Sequence, residues 1–236
     1  MFSITVVGKD NERFSEKVIC GGTILDLAYI NQMLNRQSLY LGSCGYEDVE
    51  LEFDVTPHDY LEFMEEDLKG GGRRNLINAL SNAKRALDCQ IESLLYGYCL
   101  KTYTDKKNMG IPNKIELLNK IGIIAPRILR KINKVRNTME HDFYCPNIDE
   151  VQDFADVILL FISYTDKYLY EIKYDCELLD DKCDFYCIPK FNRGEQEIIV
   201  DLRNSTQEKN IIKFEAGNET IELFIEFLRL YINLIG

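Results

Sequence analysis

The chain has 236 residues, 46% of them hydrophobic and 28% charged, which is enough apolar material for a sizeable core and excludes disordered and collagen-like classes. Its net charge of -11 argues against a uniform polyanion binder, and its eight cysteines are too dispersed for a disulfide framework, so reduced thiols are expected. The start MFSITVVGKDNERF has neither a basic n-region nor a sustained apolar run, and no stretch approaches the roughly 18 apolar residues of a membrane span; a cytoplasmic protein with no membrane role is expected.

In chain order, Phe2 to Val7 and Lys17 to Cys20 predict a hairpin around the polar stretch Gly8 to Arg13. A helix over Leu25 to Leu34 follows, then a half-exposed strand over Val49 to Val55, where apolar and acidic residues alternate. Thr56-Pro57 reads as an N-cap with proline at the first helical position, and Asp59 completes a capping box for a short helix reaching Leu68. Gly70-Gly71-Gly72 ends that region and reads as a hinge; it lacks the Lys-Ser/Thr ending of a phosphate-binding loop.

Beyond the glycines the period becomes helical. Leu76, Leu80, Ala83, Leu87, Leu94 and Tyr98 mark one long helix. A second runs from Pro112 to Gly122, and a third starts at Pro126 with Ile128, Leu129, Ile132, Val135 and Met139 as its stripe. A fourth opens on Asn147 with Glu150 as its capping partner and carries apolar residues as far as 172. Four helices with short connections predict an antiparallel bundle. Strands follow at Phe185 to Pro189, Glu197 to Leu202 and Ile211 to Phe214, with a closing amphipathic helix from Glu219 to Leu234. The expected class is α+β, mainly α, in three parts: 1–69, an N-terminal α+β region; 70–178, the bundle; and 179–236, strands plus a helix, with the two ends pairing into one unit.

Charge is unevenly distributed. From Lys101 to His141 there are ten basic residues and three acidic ones, a local net of +7, leaving -18 on the other 195 residues. That tract is suited to attract anions. Conversely, residues 47–67 hold ten Asp or Glu and no Lys or Arg. The plain reading is a solvated face; the sharper one is a brake over the basic tract or a dock for a basic partner.

The tract leads into Lys131 to Asp142, KINKVRNTMEHD. Arg136, the polar Asn137 after it, and His141 after four intervening residues resemble the Arg-x4-6-His motif of the HEPN superfamily. The long first helix with NAKRAL, the approach GIIAPRILRKINKVRN and the last helix opening after a Pro-Asn turn are similar to that four-helix fold over about 100 residues. The resemblance implies a metal-independent endoribonuclease without a cofactor, working as a homodimer of the toxin or antiviral-defence kind, with an antitoxin or regulatory protein as a possible partner. It also implies Arg136, His141 and Asn137 as catalytic residues.

The residue types suit that chemistry independently. Arginine grips phosphate through a planar fork of donors, and histidine exchanges protons near neutral pH. At about 100° per residue, Arg136 and His141 stand roughly 140° apart on a straight helix, so one face cannot present both. The site then needs a frayed helix end or a second subunit. Arg130, Lys134, Asn137 and His141 share one face and, with Arg127 and Lys131, form a track for RNA binding. Glu140 lies at i+4 from Arg136 and would orient or neutralise it, while a purely structural account makes His141 a helix-capping residue. A catalytically silent HEPN protein serving as a dimerisation or RNA/protein-binding module is the alternative function.

Weaker patterns are set aside. Gly42-Ser43 with Glu50 and Glu52 resembles a nucleotidyltransferase signature, but six residues leave no room for the required helix. Cys176, Cys183 and Cys187, with Cys145, match no closed zinc module, so packing cysteines are expected and no metal site. His58 reads as a surface residue on an acidic helix.

Overall fold

The computed structural model describes residues 39–51, 53–123, 147–170, 172–174, 176–180, 185–204, 209–215 and 221–235, with the strand segments 6–7, 13–14, 19–20 and 23–24. Over these residues the chain is mainly helical with short strands at both ends, an α+β arrangement in which α predominates. Elements are numbered in chain order among the described residues.

Near the start, β1 (Val6–Val7) pairs antiparallel with β2 (Arg13–Phe14), and β3 (Ile19–Cys20) with β4 (Thr23–Ile24). The expected hairpin therefore closes earlier than its hydrophobic runs suggested, and Ile19–Cys20 pairs with Thr23–Ile24 instead. The helix expected over 25–34 lies outside the described residues. Strands β5 (Leu39–Leu41) and β6 (Gly45–Glu47) come next. The strand expected over 49–55 is not one. Val49 is 3% exposed and its N–H donates to Leu169 O at 2.7 Å, a single bond past the β6–β7 ladder, and Leu51 packs partly buried against the core.

Helix α1 (Pro57–Gly70) begins as its sequence predicts: Thr56 Oγ1 accepts from the Asp59 N–H, and the Asp59 carboxylate accepts from the Thr56 N–H, with proline at the first turn. Gly71, at φ 63°, closes it in a left-handed cap, and Gly72 is already the N-cap of α2 (Arg73–Gly97). The glycine tract is thus a tight stop and start between two packed helices, not a hinge. Ala79, Ala83 and Ala86 are fully buried, which lets neighbouring helices approach closely, while Leu87, Ile91, Leu94 and Leu95 fill the core at about 1.5–3 kcal/mol each. A short α3 (Lys101–Lys106), which the periodicity did not reveal, follows a reversal at Cys99, φ 58°. Helix α4 (Ile111–Lys120) ends at Gly122, φ 94°, close to the expected stop.

Helix α5 (Ile148–Thr165) has the expected Asn147–Glu150 capping box. It buries Val151, Phe154, Ala155, Ile158, Phe161 and Ile162 and packs on α2. The helix stops at Thr165 rather than running to 172. A 3-10 turn (Asp166–Tyr168) leads into β7 (Ile172–Tyr174) and β8 (Leu178–Asp180), two short strands not anticipated.

The larger sheet is antiparallel in the order β11-β10-β9-β8-β5, with β9 at Phe185–Asn192, β10 at Glu197–Asn204 and β11 at Lys209–Glu215. Pro189 sits in β9 beyond the part paired with β8, which ends at Cys187, so its missing N–H leaves that ladder intact. Pairing of β5 with β8 and of β6 with β7 joins the chain on the two sides of the helices.

Helix α6 (Ile221–Ile235) buries Phe224, Phe227, Leu228 and Tyr231. Aromatic rings carry the core from helices to sheet: Tyr98 meets Phe191 edge-on at 6.1 Å, and Phe191 meets Tyr231 at 5.3 Å. The β9–β10 turn is bolted to the end of α2. Arg193 Nε donates to Gly97 O at 3.1 Å, Gln196 Nε2 to Tyr96 O at 3.2 Å, and the Lys101 N–H to Gln196 Oε1 at 3.0 Å.

Candidate nucleic-acid interface

Every residue nominated from the sequence for catalysis or RNA contact lies outside the described residues: Arg127, Arg130, Lys131, Lys134, Arg136, Asn137, Glu140 and His141. The described frame brackets them. Helix α4 delivers the chain through Gly122 and the buried Ile123, and α5 receives it at Asn147.

The described half of the basic tract carries less free charge than its linear count. Glu92, near the end of α2, accepts hydrogen bonds from both Lys101 Nζ (3.2 Å) and Lys114 Nζ. Asp105 adds contacts at 3.2 Å to Lys101 and 3.9 Å to Lys114. The Lys114 side chain is only 10% exposed, so its charge is committed to holding α2, α3 and α4 together. Burial alone would lower the pKa of Lys101, but hydrogen bonds to Glu92 and Asp105 and their negative charge raise it. Lys106, Lys107 and Lys120 remain exposed and able to meet an anion. Glu92 lies outside the 101–141 window, so counting along the chain did not reveal the neutralisation.

The opposite electrostatics appear between α1 and α5. A cleft of about 510 Å³ is lined by Glu65, Leu68, Asp149, Gln152, Asp153, Ala155 and Asp156. Four carboxylates there make this face repel a phosphate backbone. Within the acidic stretch 47–67, Glu47 pairs with Arg193, Asp59 caps its own helix, and Asp67 accepts from Asn82 Nδ2 at 3.0 Å.

His58 is exposed, as expected, and it is also paired. Its Nε2 lies 3.1 Å from Asp166 Oδ2, and Asp166 Oδ1 accepts from the buried Gln90 Nε2, also at 3.1 Å. Gln90 Nε2 further donates to Thr165 Oγ1 at 2.8 Å, so a polar line ties the start of α1 to the end of α5 through the middle of α2. A separation of 108 residues gave no local signal for this pair.

The cysteines require a correction. Cys44 and Cys176, expected as reduced thiols, form a disulfide across 132 residues of sequence. Cys176 is therefore not free for a zinc set, and among the described residues no group of three or more His, Cys, Asp or Glu is arranged to hold a metal. Cys89 and Cys99 are free thiols, and burial pushes their pKa up to about 11 and about 12. Among the described residues, no helix is long and apolar enough to cross a membrane.

Comparison of the chain with family models, curated proteins and solved structures gave no significant match.

Proposed function

We propose that the chain is a HEPN-type, metal-independent endoribonuclease, acting in a homodimer as a toxin or anti-phage effector. The observation that carries this reading is the segment RNTMEH, Arg136 to His141, at the end of the only strongly basic tract of an acidic chain. Support comes from the elements on either side. A long α2, an α4 closed near Gly122 and an α5 opened by a capping box are in keeping with that reading. Exposed Lys106, Lys107 and Lys120 add anion-attracting charge among the described residues.

In this reading the ribose 2'-hydroxyl attacks the adjacent phosphorus, and the 5'-oxygen leaves. One imidazole takes the hydroxyl proton and later returns a proton to the leaving oxygen. Arg136 stabilises the charge growing on the phosphoryl oxygens, and Asn137 orients one of them. Because Arg136 and His141 diverge by roughly 140° on one helix, the arginine of one protomer works with the histidine of the other.

The test is RNA cleavage by the purified protein in the presence of a chelator, with mapping of the product ends. Wild type should produce 2',3'-cyclic phosphate and 5'-hydroxyl termini, and Arg136→Ala and His141→Ala should each be inactive. Mixing the two inactive variants should restore about half of the activity per mixed dimer, since one of its two composite sites is intact. Cleavage that survives in His141→Ala sinks the assignment.

The neutralisation of Lys101 and Lys114 leaves fewer free cations in the basic tract, which favours a second reading, a catalytically silent HEPN protein serving as a dimerisation or RNA/protein-binding module. Under it, wild type and His141→Ala bind equally and neither cuts.

A further inference from the structure

Cys44 lies in the connection Gly42–Cys44 between β5 and β6, and Cys176 in the connection between β7 and β8. Since β5 pairs with β8 and β6 with β7, the two connections run side by side where the chain passes from the five-stranded sheet to a two-stranded ribbon. Backbone bonds hold them there: the Gly42 N–H donates to Glu177 O at 2.7 Å, and the Glu177 N–H to Ser43 O at 2.9 Å. The connections approach closely: a Cβ at Gly42 would stand 2.8 Å from Leu179 Cδ1, so a larger residue there would have to displace that side chain. The two cysteine Cα atoms are 4.2 Å apart.

This ribbon is where the chain enters and leaves the helical region. Helices α1 to α5 all lie between the bonded cysteines. Beyond the bond, Val49 N–H to Leu169 O continues the ribbon and presses the Val49 methyls against Gly97 at the end of α2. Apart from the bond, the ladders here are brief, three residue pairs for β5–β8 and three for β6–β7. Pairings of that length are marginal without further support. The two cysteines also differ in exposure: Cys44 is half-buried, whereas Cys176 is fully buried. An incoming thiol or peroxide therefore reaches Cys44, and Cys176 is the leaving or resolving sulfur.

We infer that Cys44 and Cys176 form a reversible redox clasp that locks the entry and exit strands of the helical region, closed by a peroxide and opened by a small thiol. In closing, the Cys44 thiolate attacks the peroxide to give a sulfenic acid, releasing water or an alcohol. Cys176 then attacks that sulfur, forming the disulfide and releasing water. In opening, a thiolate attacks Cys44, and Cys176 leaves and takes up a proton. A second thiol resolves the mixed disulfide, so two small thiols become one small disulfide and both cysteines are reduced. With the clasp open, the ribbon 39–49/169–180 rests on its short ladders and frays.

The experiment follows the full-length protein through a cycle of dithiothreitol reduction, removal of the reductant and addition of hydrogen peroxide. Cysteine pairing is read by differential alkylation and peptide mass spectrometry, and backbone hydrogen exchange is measured in each state. The linked Cys44–Cys176 peptide should appear with peroxide and vanish with dithiothreitol while the helices stay folded. Amide exchange over 39–49 and 169–180 should quicken on the order of tenfold in the reduced form. Cys44→Ser and Cys176→Ser should show the fast exchange in both conditions. Pairing of either cysteine with another partner, a bond that opens only when the protein unfolds, or exchange that ignores the redox state in wild type overturns the clasp. Should the single variants fold poorly, Cys44→Ala combined with Cys176→Val replaces them, and redox-dependent exchange in that double variant also overturns it.

Discussion

Replacing Glu92 by alanine tests whether the charge cluster at the junction of α2, α3 and α4 holds the approach to the proposed site. The substitution leaves the Lys114 ammonium, its side chain only 10% exposed, with Asp105 at 3.9 Å as its remaining ion-pair contact among the described residues. Removing one partner of a buried ion pair costs about 3–5 kcal/mol when the other charge is stranded. Asp105 softens that, and Lys101, at 33% exposure, rehydrates with little loss, so about 2–4 kcal/mol is expected. At roughly 2–4 °C per kcal/mol for a chain of this size, Tm should fall by about 5–15 °C.

Glu92→Ala combined with Lys114→Met removes both the charge and its stranded partner. That variant should recover most of the loss, giving a coupling of about 1–3 kcal/mol in a double-mutant cycle. Lys101→Met alone should cost less than about 1 kcal/mol. The assay is urea unfolding followed by far-ultraviolet circular dichroism, with the Cys44–Cys176 bond in one defined state throughout. If Glu92→Ala costs less than about 0.5 kcal/mol, or the double variant is no better than the single, the cluster is solvated and the reasoning fails.

Two further outcomes follow from ionisation. Hydrogen bonds from the Thr56 backbone and hydroxyl hold the Asp59 carboxyl below its usual value; stability from the capping box is therefore present above the ordinary aspartate range and is lost as pH falls through the depressed folded pKa. Asp59→Asn should accordingly be less stable than wild type near neutral pH and converge with it in acid, which pH-dependent urea midpoints would show; a gap that persists in strong acid contradicts this. Burial that pushes the Cys89 and Cys99 thiols up to about 11 and about 12 should make both resist iodoacetamide at pH 8 in the native protein and react on unfolding, as quantified by peptide mass spectrometry. Rapid native labelling of Cys99 would show that the α2–α3 junction opens readily.

Much of the helical frame was legible because its signals are local. Thr56-Pro57 with Asp59, and Asn147 with Glu150, each specify a helix start within four residues, and both capping boxes formed. The buried face of α2 repeats at helical spacing, so its extent showed in its period. Strands were harder to read. Leu39–Leu41, Gly45–Glu47, Ile172–Tyr174 and Leu178–Asp180 are three residues each, too brief for alternation to register, and exist because each has a partner across the molecule. Ile172 illustrates the failure: it continues the apolar spacing of α5, yet the helix has already ended at Thr165 and the chain has turned into β7.

By itself, the sequence determined where the capped helices α1 and α5 begin, that the charge is segregated, and that Arg136, Asn137 and His141 stand at the end of the basic tract with the spacing that motivates the ribonuclease proposal. Local hydrogen-bond and periodicity rules act over a few residues, and those choices need nothing else. Tertiary structure alone decided the rest: that Glu92 neutralises Lys101 and Lys114, that His58 meets Asp166, and that Cys44 bonds Cys176. Each of the last two joins groups more than 100 residues apart. Such contacts carry no periodic signature, because they depend on which surfaces the packed core brings together.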